Sequence, residues 1–181
     1  LRQAISAEES RGVHGPQRGP VSITNVTELG TVYSVAEIAA LTDVAKDYGL
    51  ATHLDGARLW NAHIASGRPL AELAGPATTV SVCLSKGLGA PVGSVLSGPS
   101  DVIDEVRAAR YGFGGSMRQA GVLAAAGQYA IEHQLARLSE MEAAMHEHSP
   151  PPQKKPISVE GDPSTSQKSS PSQPSPAVVQ T

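Results

Sequence analysis

The chain predicts an α/β fold, a mostly parallel sheet flanked by helices. Three observations carry that expectation. Short apolar runs at 21–23, 50–54 and 79–84 alternate with stretches whose apolar residues recur at helical spacing. Strands and helices that alternate in this way pair in parallel through right-handed crossovers. Finally, two of the runs end in a group capable of chemistry, Asp55 after the first and Lys86, thirty-one positions later, after the second.

Taken in order, residues 1–20 offer a helix turn and then a loop through Gly12, Gly15, Pro16, Gly19 and Pro20. Val21 to Ile23 follows as a short buried strand. Ser34 with Glu37 three residues on forms a capping box. Behind it Val35, Ile38, Leu41, Ala45 and Tyr48 keep helical spacing until Gly49 stops the helix. A strand over 50–54, a helix over about 60–73 and a strand over 79–84 continue the alternation. Pro91 to Gly98 makes a further strand, and Pro99-Ser100-Asp101 caps a helix through about Arg110. After the glycines at 112, 114 and 115, Ser116 opens a long alanine-rich helix that ends before His148.

At Ser149 the composition changes. Residues 149–181 hold eight prolines, eight serines and no aromatic residue, too little apolar surface to offset the entropy of ordering. The chain therefore divides into 1–148, part of a larger folded domain, and 149–181, a disordered Pro/Ser-rich tail. The net charge of −3 shows no basic face, which points away from nucleic acid and anionic membranes. No stretch approaches the roughly 20 apolar residues of a membrane span. The single cysteine, Cys83, excludes a disulfide framework and suits a reducing, cytoplasmic setting, where it would serve as a small buried apolar residue.

The chemistry follows from the topology. Parallel strands bring their C-terminal ends to one edge, where open α/β sheets bind ligands. An acid and an amine held there suit pyridoxal phosphate: Lys86 forms the imine and Asp55 pairs with the protonated ring nitrogen. Arg58 has the fork geometry for a substrate carboxylate. Arg118, after the glycine loop, suits the cofactor phosphate or that carboxylate. His53 shares a strand face with Asp55, and a hydrogen bond to it and plain core packing are both open. Glu28 and Thr31 sit in a loop after a strand, where bordering the same edge and a plain solvated loop are both open. His146 and His148 are spaced i, i+2, which do not face each other on a helix, so no metal site is expected.

Four collinear stretches carry a resemblance: Val21-Ser22-Ile23-Thr24-Asn25-Val26-Thr27-Glu28-Leu29-Gly30-Thr31-Val32-Tyr33, His53-Leu54-Asp55-Gly56-Ala57-Arg58-Leu59, Val82-Cys83-Leu84-Ser85-Lys86-Gly87-Leu88-Gly89-Ala90-Pro91-Val92-Gly93, and Gly114-Gly115-Ser116-Met117-Arg118-Gln119-Ala120-Gly121. Across roughly residues 13–145 the chain resembles the low-specificity L-threonine aldolases, pyridoxal-phosphate enzymes of fold type I. The resemblance implies a partial large domain truncated at both ends. It also implies Lys86 as the Schiff-base lysine, Asp55 at the ring nitrogen and Ala57 against the ring. Arg58 and Arg118 would serve the substrate carboxylate or the cofactor phosphate. The implied reaction cleaves L-threonine or L-allo-threonine to glycine and acetaldehyde, in homodimers or homotetramers with sites at subunit interfaces. A catalytically inactive remnant, or another fold type I lyase or transaminase, is the alternative.

Overall fold

The computed structural model describes residues 1–148 apart from 10, 11, 13, 14 and 16, with side chains through Met141. The expected disordered tail, 149–181, lies outside the described residues. Four strands form one sheet: β1 (Val21–Thr24), β2 (Thr52–Gly56), β3 (Thr79–Cys83) and β4 (Ser94–Ser97), hydrogen-bonded in that order. The first three run parallel and β4 runs antiparallel to β3, so the mostly parallel α/β sheet stands. Among the described residues six α-helices accompany it: α1 (Arg2–Glu9), α2 (Val35–Asp47), α3 (Leu59–Ser66), α4 (Leu70–Ala74), α5 (Ser100–Gly112) and α6 (Gly121–His148). No helix among the described residues is long and apolar enough to cross a membrane.

The capping box forms as read. Ser34 Oγ accepts from the Glu37 N–H at 3.2 Å, and Glu37 Oε2 accepts from the Ser34 N–H at 2.8 Å. Several boundaries differ from the sequence reading: the strand expected over 50–54 runs Thr52–Gly56, the one over Pro91–Gly98 is confined to Ser94–Ser97, and the long helix continues through His148. Three further differences have a local reason. The single helix expected over 60–73 is two, because Gly67 turns left-handed at φ +65° and Pro69 bars its predecessor from helix. The long helix starts at Gly121 and not at Ser116, since Gln119 holds φ +49°, which no helix accommodates. Asp101 lies in the first turn of α5, but no side chain caps that helix, whose cap position is Pro99.

Alternation along the strands sorts the two sheet faces. One face carries Ile23 and Leu54, both buried, with Val80 and Val82. Ile38 of α2, Leu59 and Ala62 of α3 and Leu73 of α4 pack onto it. The other face carries rows of polar residues in register: Ser22, His53 and Thr79, then Thr24, Asp55 and Ser81. A second cluster, Trp60, Leu84, Leu88, Ala90, Ala130 and Leu138, pins the turn after β3 to α3 and α6.

Leu54, fully buried at the centre of the first cluster, leaves a void there when cut to its Cβ. Leu54→Ala should lower the unfolding free energy by about 2–5 kcal/mol, read from urea denaturation followed by circular dichroism.

Candidate active site

Asp55 and the turn that carries Lys86 lie at the edge where β1, β2 and β3 end. Asp55 is the penultimate residue of β2 and sits opposite Thr24 and Ser81 in register. Its Oδ1 accepts the Ala57 N–H at 3.0 Å, an Asx turn that fixes the carboxylate at the strand end. Behind it the Asn25 N–H donates to the Asp55 carbonyl at 3.0 Å. Lys86 stands three residues past β3 on a tightly closed turn. There the Leu84 N–H donates to the Gly93 carbonyl, the Ala90 N–H to Leu84 and the Gly89 N–H to Lys86, all within 3.0 Å. Leu84, Leu88 and Ala90 point into the second core cluster while Lys86 stays exposed, so the turn is anchored and its amine faces outward.

Two contacts set that turn in place. Trp60 Nε1–H donates to the Cys83 carbonyl at 2.9 Å, tying the end of β3 to α3. At Gly127 of α6 an added Cβ would lie 2.9 Å from Leu84 Cδ1, so a larger residue there would make the buried Leu84 side chain shift.

Arg58 is half-buried at the N-terminal flank of α3, and Arg118 is exposed in the turn before α6. Neither has an acidic partner among the described residues. Ala57 occupies the turn between Asp55 and Arg58, and Glu28 and Thr31 lie in the loop after β1. Thr31 is engaged by Thr27, with 2.6 Å between their hydroxyl oxygens. No group of three or more potential metal ligands occurs among the described residues.

His53 does not support Asp55. Its Nδ1 lies 2.9 Å from Thr79 Oγ1 and its Nε2 3.3 Å from Ser81 Oγ, because β3 offers hydroxyls directly across the ladder. Cys83 is not the inert apolar residue expected either. It is half-buried, and its Sγ lies 3.3 Å from Ser85 Oγ. That hydrogen bond lowers the thiol pKa, against an opposing effect of burial, and the positive charge of Lys86 adds to the lowering. The sequence reading also passed over Asn25. Fully buried, it accepts from the Tyr33 N–H at 3.0 Å and donates to the Tyr33 carbonyl at 3.2 Å, closing the loop over this edge. An asparagine directly after a buried strand was the available signal.

A family model described as Beta-eliminating lyase matches residues 1–169. The chain belongs to the beta-eliminating lyase family. Its relatives in this family include the low-specificity L-threonine aldolase 1 of Arabidopsis thaliana, 45% identical over 115 residues, which cover 64% of the chain and 32% of that protein. The low-specificity L-threonine aldolase of Escherichia coli (strain K12) is 41% identical over 128 residues, covering 71% and 38%. The chain thus spans well under half the length of these relatives. Among solved structures, the threonine aldolase of Leishmania major superposes with a TM-score of 0.66 at 25% identity, over 81% of this chain and 43% of that one. The α/β sheet and its flanking helices are accordingly those of this lyase family.

The lowered thiol pKa makes a direct expectation. Alkylation of Cys83 by iodoacetamide, followed by mass spectrometry, should reach its plateau at a lower pH than a free cysteine near pKa 8.5. Ser85→Ala removes the largest lowering cause, so its profile should move to higher pH. An unmoved profile would rule out the assigned hydrogen bond.

Proposed function

We propose that this chain carries the lysine-bearing part of a pyridoxal-phosphate-dependent aldolase site that cleaves L-threonine or L-allo-threonine to glycine and acetaldehyde. The single observation that supports this most is the placing of Asp55 and Lys86 at the outgoing ends of two hydrogen-bonded parallel strands. The donor set fits the cofactor: an exposed amine, a half-buried carboxylate held by a backbone N–H, and guanidinium groups left without acidic partners among the described residues.

Lys86 Nζ would hold the cofactor covalently, and Asp55 would accept the N–H of its ring. Ala57 would lay a methyl against the ring, leaving room a larger side chain would fill. Arg58 and Arg118 would divide the phosphate and the substrate carboxylate between them, each by a two-point guanidinium contact. When bound, pyridoxal phosphate supplies the sink for the electron pair left at Cα as the Cα–Cβ bond breaks. Asp55 sustains that capacity electrostatically, since its negative charge keeps the proton on the ring nitrogen. Its Oδ1 is already committed to Ala57, which leaves Oδ2 for that proton.

The names of the relatives support the aldolase reading over its alternatives. The family's own description favours a second reading, β-elimination at the same lysine, which would release a 2-oxo acid and ammonia in place of glycine. A homodimer or homotetramer is supported by exposed apolar residues around the glycine loop, Phe113 at 92% and Val122 at 81%.

The test is reconstitution with pyridoxal phosphate, borohydride reduction and peptide mapping, followed by product analysis from threonine. Label on Lys86, absent in Lys86→Ala, with glycine released, is the expected result. Asp55→Ala should lower turnover on the order of a hundredfold or more. Label without glycine would restrict the chain to cofactor binding. A folded chain that takes no label would sink the proposal.

A further inference from the structure

A groove of about 400 Å³ runs between α5 and the polar face of β3 and β4. Its lining is chemically one-sided. Ser81 and Ser94 contribute hydroxyls, Leu96 and Ile103 an apolar floor, and Arg107 and Arg110 two guanidinium groups, while no carboxylate lines it. Arg107 is already neutralised by Asp104 at 2.9 Å. Arg110 has no acidic partner among the described residues. Neither Arg58 nor Arg118 reaches this groove.

The groove reaches the edge where β3 ends. Ser94 pairs with Cys83, the last residue of β3, and β4 then leads away from that edge. α5 returns toward it, bringing Arg110 of its last turn to the same end. The Gly115 N–H donates to the Arg110 carbonyl at 2.8 Å, and an added Cβ at Gly115 would stand 2.7 Å from Arg110 Cγ. The glycine loop therefore lies against the arginine stem and limits where its head can go. On the sheet side, Ser81 Oγ is 3.3 Å from His53 Nε2, and His53 Nδ1 is 2.9 Å from Thr79 Oγ1. In the tautomer protonated at Nε2, His53 donates to Ser81 Oγ and Thr79 donates to Nδ1. The Ser81 hydroxyl proton is then free to point into the groove.

We propose that Arg110, Ser94 and Ser81 form an anion subsite that takes a phosphate monoester or a carboxylate. Arg110 supplies the charge, the two hydroxyls supply neutral donors, and the apolar floor strengthens the attraction by keeping water from one side. His53 is a positioning residue that sets the Ser81 hydroxyl. The subsite does not rest on the aldolase reading, whose phosphate and carboxylate fall to Arg58 and Arg118; the titration below identifies its anion. A purely structural part for Arg110 exists, since a cation in the last turn complements the helix dipole, and the test separates the two.

The full chain is titrated with inorganic phosphate and, separately, with acetate, following the amide resonances of Ser81, Ser94 and Gly115. Saturable shifts are expected, weakened about tenfold in Arg110→Gln, as losing a charged hydrogen bond implies, and largely retained in Arg110→Lys. Ser81→Ala, which keeps the helix cation, should weaken binding by a smaller factor. Saturation by phosphate at the lower concentration assigns the ester as ligand, and the reverse order assigns the carboxylate. No saturable shift overturns the proposal, as does an affinity unchanged in both Arg110→Gln and Ser81→Ala. A melting temperature that falls in Arg110→Gln while affinity stays put would reduce Arg110 to a helix cap. Borohydride labelling of Lys86 with pyridoxal, which has no phosphate, does not depend on this groove, so the two readings fail separately.

Discussion

Parallel pairing of β2 with β3 sets His53 opposite Thr79 and Gly56 opposite Val82, so both strands run out at one edge with an acid on one and an amine shortly after the other. Every later feature depends on that register. A slip of one residue would turn Asp55 into the apolar layer and Leu54 onto the polar face. The core enforces the register, because Leu54 is fully buried among Ile23, Ile38 and Leu73. The hydrophobic face thus fixes the chemistry of the opposite one.

Strands in parallel sheets are usually covered on both faces and are nearly continuously apolar. Here β2 reads Thr52-His53-Leu54-Asp55-Gly56, apolar on one side only. The polar rows of Ser22, Thr24, His53, Asp55, Thr79 and Ser81 would be a liability in a purely structural sheet. Instead, His53 bonds across the ladder to Thr79 and Ser81, and Asp55 holds the turn at Ala57. Such a departure from the local rule is what a functional surface looks like in a sheet of this kind.

Much of this was legible in the residues themselves. Short-range signals match the structure: the Ser34–Glu37 box, the helical spacing of α2 and the strand that precedes Lys86, while β2 runs two residues further than the 50–54 expected and so includes Asp55. Long-range partners were not. That His53 would meet Thr79 and Ser81 requires knowing the register of β3, twenty-six and twenty-eight residues away, and sequence spacing within β2 pointed to Asp55 instead. Cys83 looked apolar because its neighbours are, while its thiol turns toward Ser85 at the start of the bend. Helix starts failed where one residue took a positive φ, as at Gln119, since periodicity carries no information on a single dihedral.

The meshing of Gly127 with Leu84 has a consequence for how this chain tolerates length changes. The position of Lys86 is held from outside its own turn, by a helix that begins thirty-five residues later. Insertions in the exposed connection between α5 and α6 leave that mesh intact so long as the helix re-enters in phase. An insertion inside α6 between Gly127 and Leu138 does not, because one added residue rotates Gly127, which faces Leu84, by about 100° relative to Leu138, which faces Gly87. The lysine turn would then keep one of these two contacts and lose the other. Length change is therefore well tolerated in the glycine-rich connection and damaging in the middle of a helix that carries none of the chemistry.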